Sequence, residues 1–235
     1  MLFLIPTDVE TLERHRPWAN YVLIGLTVVV FFLTIGATEA SSLVDALILQ
    51  RSHTAGIIGH VFLHANLGHL VGNMIFLWTF GNVICRTTSN ALYPVLYFVC
   101  AFGAAATHLL TSRSPAVGAS GAINGIVGIA LAMFPMNRVD MRYLVMTTAG
   151  TFQIRLWLLA SIWFILDLWG ASRGSGNVAY SAHIGGLLTG MVLGLFLLAT
   201  GKVQLSIYDH KSLYEMLTGR ELERLTDEFE PDEET

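Results

Sequence analysis

Charge is what this chain has least of. Only 13% of its 235 residues are Asp, Glu, Lys or Arg, about half the share of an average soluble domain, while 54% are hydrophobic. That balance excludes an ordinary water-soluble fold. Cysteine is scarce too: Cys85 and Cys100 both fall in or beside apolar runs, which argues against a disulfide framework or a cysteine metal site. His60 and His64 would share a helical face, but no glutamate stands in an HExxH arrangement, so no metal centre is expected. Paired inverted halves and an acid–base relay across the apolar runs are also missing, which counts against a small transporter. Met1 to Pro6 is too short an apolar stretch for a secretory leader, and Asp8, Glu10 and Glu13 follow it.

What the chain does have is hydrophobic runs of about 16–20 residues, near the length that crosses a bilayer core of about 30 Å. Six helices are expected, over about 19–36, 66–84, 92–110, 120–134, 154–169 and 183–199. The fold class read from this is all-α: a polytopic membrane protein with a six-transmembrane-helix bundle. Residues 1–18 form an N-terminal segment, 19–200 the helical domain and 201–235 a tail with ten acids and four bases. The tail is expected to start as a short amphipathic helix and to finish disordered. The connection 37–62 is too apolar for an aqueous loop and is expected to lie in the membrane interface.

Basic residues set an expected orientation. With both termini inside, ten of the 13 Lys and Arg lie on the inner side and three, Arg51, Arg113 and Arg173, on the outer. The positive-inside tendency favours cytoplasmic termini and puts Ser120 and His183 towards the outer face. The run from Ser120 to Phe134 rises only about 22 Å. Ser120 is therefore expected below the outer surface, behind a loop that dips into the membrane and is covered by protein or lines a wet cavity.

Ionisable groups inside apolar runs are costly and tend to mark function. Ser120 stands between small residues at the mouth of the fourth run and needs a base to become a nucleophile. His183 opens the sixth run on the same side. Behind it, Gly186, Gly190 and Gly194 recur every four residues, and Gly121 and Gly125 do the same behind Ser120. Two such smooth faces can pack closely and bring His183 to Ser120; alternatively, the glycines only pack helices and His183 caps one. His69 and Asn73 share a helical face. They either donate to a developing oxyanion, beside backbone N–H groups at the start of the fourth helix, or merely bridge helices. Asp167 is an orienter of the imidazole or an interfacial acid. A Ser–His pair suffices without an acid if packing fixes the ring. His108 reads as an interfacial residue.

The segments His60-Val-Phe-Leu-His64-Ala-Asn-Leu-Gly-His69-Leu-Val-Gly-Asn73, Gly118-Ala-Ser120-Gly121 and Ala182-His183-Ile-Gly-Gly186-Leu-Leu-Thr-Gly190 occur in this order on the expected helices. In this the chain resembles the rhomboid family of intramembrane serine proteases. The resemblance implies Ser120 as nucleophile and His183 as general base, then acid. It implies His69, Asn73 and the Ser120 N–H as oxyanion donors; His64, Gly118, Gly121, Asn124 and Gly186 are expected to support the site. It implies that the fifth helix and the loop before His183 gate the entry of a substrate helix. The implied partners are transmembrane protein substrates and the lipid bilayer, with no cofactor, metal or nucleic acid. The implied setting is a bacterial inner membrane. The competing reading is an inactive rhomboid-like protein that binds or escorts membrane clients. The chain departs from the family pattern at Asn124, where many members have an aromatic, and at Gln50-Arg51, where many have Trp-Arg.

Overall fold

The computed structural model describes residues 2–12, 14–36, 42–145, 147–173 and 178–226. Six long helices dominate: α1 (Trp18–Thr34), α2 (Leu67–Thr87), α3 (Leu92–Thr111), α4 (Ser120–Met133), α5 (Leu156–Arg173) and α6 (Tyr180–Ala199). Among the described residues, α2, α3, α5 and α6 are long and apolar enough to cross a membrane, and α1 and α4 are shorter apolar helices. The protein is a mostly helical, polytopic membrane protein. The connection after α1, described from Ser42, holds only short helical pieces, at Ser42–Leu47, Gly56–Gly59 and His60–Phe62.

The all-α expectation is corrected by a three-stranded antiparallel sheet, β1 (Leu2–Val9), β2 (Arg138–Val145) and β3 (Thr148–Arg155), in the order β1-β2-β3. Arg138, Asp140 and Arg142 alternate with Val139, Met141 and Tyr143. The first four residues put their charges out and Val139 and Met141 in the core, as a strand requires. Because β3 runs to Arg155, α5 starts two residues later than the apolar run suggests. Pro6 is tolerated because β1 is an edge strand, and the Pro6 carbonyl accepts from Thr79 Oγ1 at 2.9 Å.

At the centre sits α4, almost wholly buried. Small residues let its neighbours close in. A Cβ at Gly186 or Gly190 of α6 would collide with the carbonyl oxygen of Gly121 or Gly125 of α4. One at Gly194 would stand 2.6 Å from Ala132 Cβ. A second seam joins α3 to α6, where Gly103 meets Thr189 and Gly185 meets Thr107.

α2 is not uniform. It widens into a π-turn over Leu77–Gly81, which frees carbonyls for outside partners. Asn20 of α1 uses one: its Nδ2 donates to Leu77 O at 2.9 Å and to Asn82 Oδ1 at 2.8 Å, while Tyr93 Oη donates to Asn20 Oδ1 at 2.6 Å. This buried polar knot ties α1, α2 and α3 together. Asn20→Ala should therefore destabilise the protein by about 1–3 kcal/mol, because it strands three buried polar groups. Unfolding midpoints in detergent test this, and an unchanged midpoint would remove the knot from the account.

The segment before α1 and the segment after α6 meet at the end of the bundle opposite Ser120. Arg14 donates to Thr87 O and Gln204 O, and Asn137 Nδ2 donates to Glu10 O at 2.6 Å and Asp209 Oδ1 at 3.1 Å. The described part of the tail, to residue 226, holds β4 (Leu205–Ser206) paired to β5 (Arg224–Leu225) and a short helix, α7 (Leu213–Thr218). Ser212 and Glu215 close a capping box at its start. Burial alone would raise the Glu215 carboxyl. Hydrogen bonds from Ser212, Leu222 and Arg224 outweigh that and bring it down to about 2. The expected disordered end falls on 227–235, outside the described residues.

Candidate active site

Ser120 is the first residue of α4, and the backbone turns into that helix through Gly118. Gly118 has φ 121°, and a Cβ there would stand 2.7 Å from the His69 ring, so both the conformation and the close approach require glycine. The loop before Ser120 is held on three sides. Ala116 exchanges backbone hydrogen bonds with Leu49, the Gly118 N–H donates to His60 O at 2.9 Å, and His108 Nε2 lies 2.8 Å from Ser114 O. His60 is fixed in turn by its Nδ1, 2.8 Å from Gly56 O.

His183 lies one turn inside α6. The helix opens at Tyr180, three residues earlier than the apolar run suggests, so His183 is not its cap. Close packing of α4 on α6 places His183 Nε2 2.8 Å from Ser120 Oγ. The other ring nitrogen, Nδ1, is 3.0 Å from Asp167 Oδ1 on α5. The side chains of His183 and Asp167 are only 15% and 16% exposed. Asp167 is thus no interfacial acid. The sequence leaves it open because a lone acid on an apolar helix does not say which neighbour its face meets.

His69 and Asn73 sit in the first turns of α2, which Asn66 caps by accepting from the His69 N–H at 2.9 Å. Both line one open cavity of about 1070 Å³ together with Ser120, His183 and Asn124. One N–H of the Asn73 amide donates to His69 O at 3.1 Å. His64 is buried and packs edge-on against His69, with ring centroids 5.0 Å apart. Asn124 Nδ2 donates to Ser120 O at 3.0 Å, within its own helix. Gly121 and Gly186 meet at the α4–α6 seam.

His108 is buried rather than interfacial. It bridges Ser114, before Ser120, and Ser181, before His183, whose Oγ is 3.2 Å from Nδ1. Its 3.6-residue phase on α3 was the signal, since it shares a face with the buried Ala101, Ala104 and Ala105. Arg51 of Gln50-Arg51 is also engaged, donating from Nε and Nη2 to Leu109 O at 3.1 and 2.8 Å. It pins the first connection to the end of α3. Cys85 and Cys100 are buried free thiols. Among the described residues no group of three His, Cys, Asp or Glu is placed to hold a metal ion.

Comparison with known proteins gives a family match and relatives. The family described as Rhomboid domain matches residues 51–200. Rhomboid protease GluP of Bacillus subtilis is 26% identical over 192 residues, covering 78% of this chain and 36% of that protein. Rhomboid protein 1, mitochondrial, of Saccharomyces cerevisiae is 27% identical over 195 residues, covering 79% and 55%. RHOMBOID-like protein 12, mitochondrial, of Arabidopsis thaliana is 29% identical over 156 residues, covering 58% and 44%. The chain thus spans between about a third and about half of the length of these relatives.

Proposed function

This chain belongs to the rhomboid family, and from that premise we propose that it is a serine protease that hydrolyses peptide bonds in or near transmembrane segments of other membrane proteins. The observation that carries the reading is the 2.8 Å approach of Ser120 Oγ to His183 Nε2 beside a water-accessible cavity. Ser120 Oγ attacks the scissile carbonyl carbon as its proton passes to His183 Nε2. The imidazolium then gives that proton to the leaving amine. Water, deprotonated by the same nitrogen, hydrolyses the ester. The charge that develops on the carbonyl oxygen is met by the Ser120 N–H, which has no acceptor in the first turn of a helix, by His69, and by the second N–H of Asn73. His64 and Gly118 hold His69, Asn124 steadies the first turn of α4, and Gly121 and Gly186 keep the two catalytic helices close.

The same reading covers the membrane arrangement. All six long helices span, and α4, at 14 residues, leaves Ser120 short of the outer surface. The loop of residues 112–119 dips to meet it, covered by the Leu49 and His60 segments. Both termini are cytoplasmic, on the side rich in Lys and Arg. The setting is a bacterial inner membrane, although some relatives are named as mitochondrial. The lipid bilayer is the solvent and single-pass proteins are the substrates. α5, the least buried of the four helices of full membrane-crossing length, is the gate through which a substrate helix enters. An escort without catalysis would have no use for a serine hydroxyl already bonded to an imidazole.

Purified protein in lipid should cleave a single-pass reporter protein, and Ser120→Ala should not. Cleavage that survives in Ser120→Ala overturns the assignment. Asn73→Ala should slow turnover by roughly 10²–10³ through the loss of one oxyanion donor; turnover equal to wild type would take Asn73 out of the site.

A further inference from the structure

From residue 46 to residue 208 the chain has two acidic residues, Asp140 in the sheet and Asp167 in α5. Asp167 therefore stands alone in an apolar helix, where a carboxylate without a partner is costly. It does not turn outward. Its Oδ1 is 3.0 Å from His183 Nδ1, on the side of the ring opposite Ser120. The contact is built by a matched spacing on two helices. Asp167 and Gly170 are three apart on α5, and Tyr180 and His183 are three apart on α6. A Cβ at Gly170 would stand 2.6 Å from Tyr180 Cε1, so glycine there lets α5 close on α6. Tyr180 in turn meets the His183 ring edge-on, with centroids 6.3 Å apart. Among the described residues, the Asn124 side chain, one turn beyond Ser120, bonds to the Ser120 carbonyl of its own helix. Apart from Ser120 itself, the described partners of the imidazole are therefore Asp167 of α5 and Tyr180 of α6.

We propose that Asp167 is a positioning residue for the Ser120–His183 pair, making the site a Ser–His–Asp triad assembled from three helices. The inference rests on the protease reading. The carboxylate accepts the Nδ1–H of His183. That fixes the tautomer in which the Nε2 lone pair faces Ser120 Oγ. When Nε2 takes the serine proton, the carboxylate stabilises the imidazolium.

The test compares wild type with Asp167→Asn, Asp167→Ala and Asp167→Glu on the single-pass reporter, together with nuclear magnetic resonance of ¹⁵N-histidine-labelled protein. Asp167→Asn keeps the shape and should keep the unfolding midpoint. Its kcat should fall between about 10-fold and 10⁴-fold with KM within about twofold of wild type, and Asp167→Glu should recover part of the loss. A downfield His183 Nδ1 proton should be present in wild type and absent in Asp167→Ala. An Asp167→Asn enzyme as fast as an active wild type, or a downfield proton that persists in Asp167→Ala, overturns the positioning role and leaves the protease reading standing. A wild type that does not cleave the reporter overturns both.

Discussion

His183→Ala should lower turnover of the single-pass reporter on the order of 10⁶-fold while leaving the helices folded. The size follows from the geometry of the pair. A serine hydroxyl is a poor nucleophile near neutral pH and reacts only as its proton is removed. His183 Nε2, at 2.8 Å, is the group placed to take it. The same nitrogen must later protonate the leaving amine, so its removal disables both halves of the reaction. In serine proteases the nucleophile and base act as a unit, and loss of either costs about as much as loss of the whole set. About 10⁶-fold corresponds to about 8 kcal/mol of transition-state stabilisation. What survives is the contribution of the oxyanion donors and of substrate binding. A His183→Ala protein that cleaves within about tenfold of wild type would remove the imidazole from the chemistry.

Gly186→Val should abolish most activity from a position that does not line the cavity of Ser120 and His183. A Cβ at Gly186 would be driven into the carbonyl oxygen of Gly121. That neighbour is backbone, so no flexible side chain can give way. α4 and α6 must part by on the order of 1 Å, and a misplacement of that size at a reacting centre costs about 10²-fold. The same overpacking should destabilise the fold by about 1–3 kcal/mol. Two readouts separate the effects: turnover at a temperature well below the midpoint, and the midpoint itself. Unchanged turnover would mean that the α4–α6 seam does not set the distance from Ser120 to His183.

The seam was legible in the sequence because glycine at four-residue spacing has a direct spatial meaning on a helix. The order of the apolar runs was legible for the same reason: hydrophobic length carries the span. The sheet was written more faintly. Arg138 to Tyr143 alternates with period two, but its partner β1 lies far away in the chain, so pairing leaves no local mark. The start of α6 was displaced because Tyr180 and Ser181 are not apolar, although they are helical. The π-turn at Leu77–Gly81 has no periodic signature, since Asn20, 57 residues away, supplies its partner. Asp167 shows the limit most clearly. The residue stands out in sequence as an acid in an apolar helix, yet its bond to His183 depends on which face α5 turns to α6. Only Gly170 and Tyr180, spaced to match, carried a hint of that face.

The most direct measurement is covalent labelling of the purified protein with a fluorophosphonate, read by mass spectrometry of the labelled peptide. Ser120 Oγ attacks phosphorus, fluoride leaves, and the proton passes to His183, so the probe reports the nucleophile and base without any substrate. The predicted result is a single adduct on Ser120, absent from Ser120→Ala and His183→Ala. An adduct that persists in Ser120→Ala, or a wild type that takes up no label, would contradict the assignment of Ser120 and His183 as a catalytic pair.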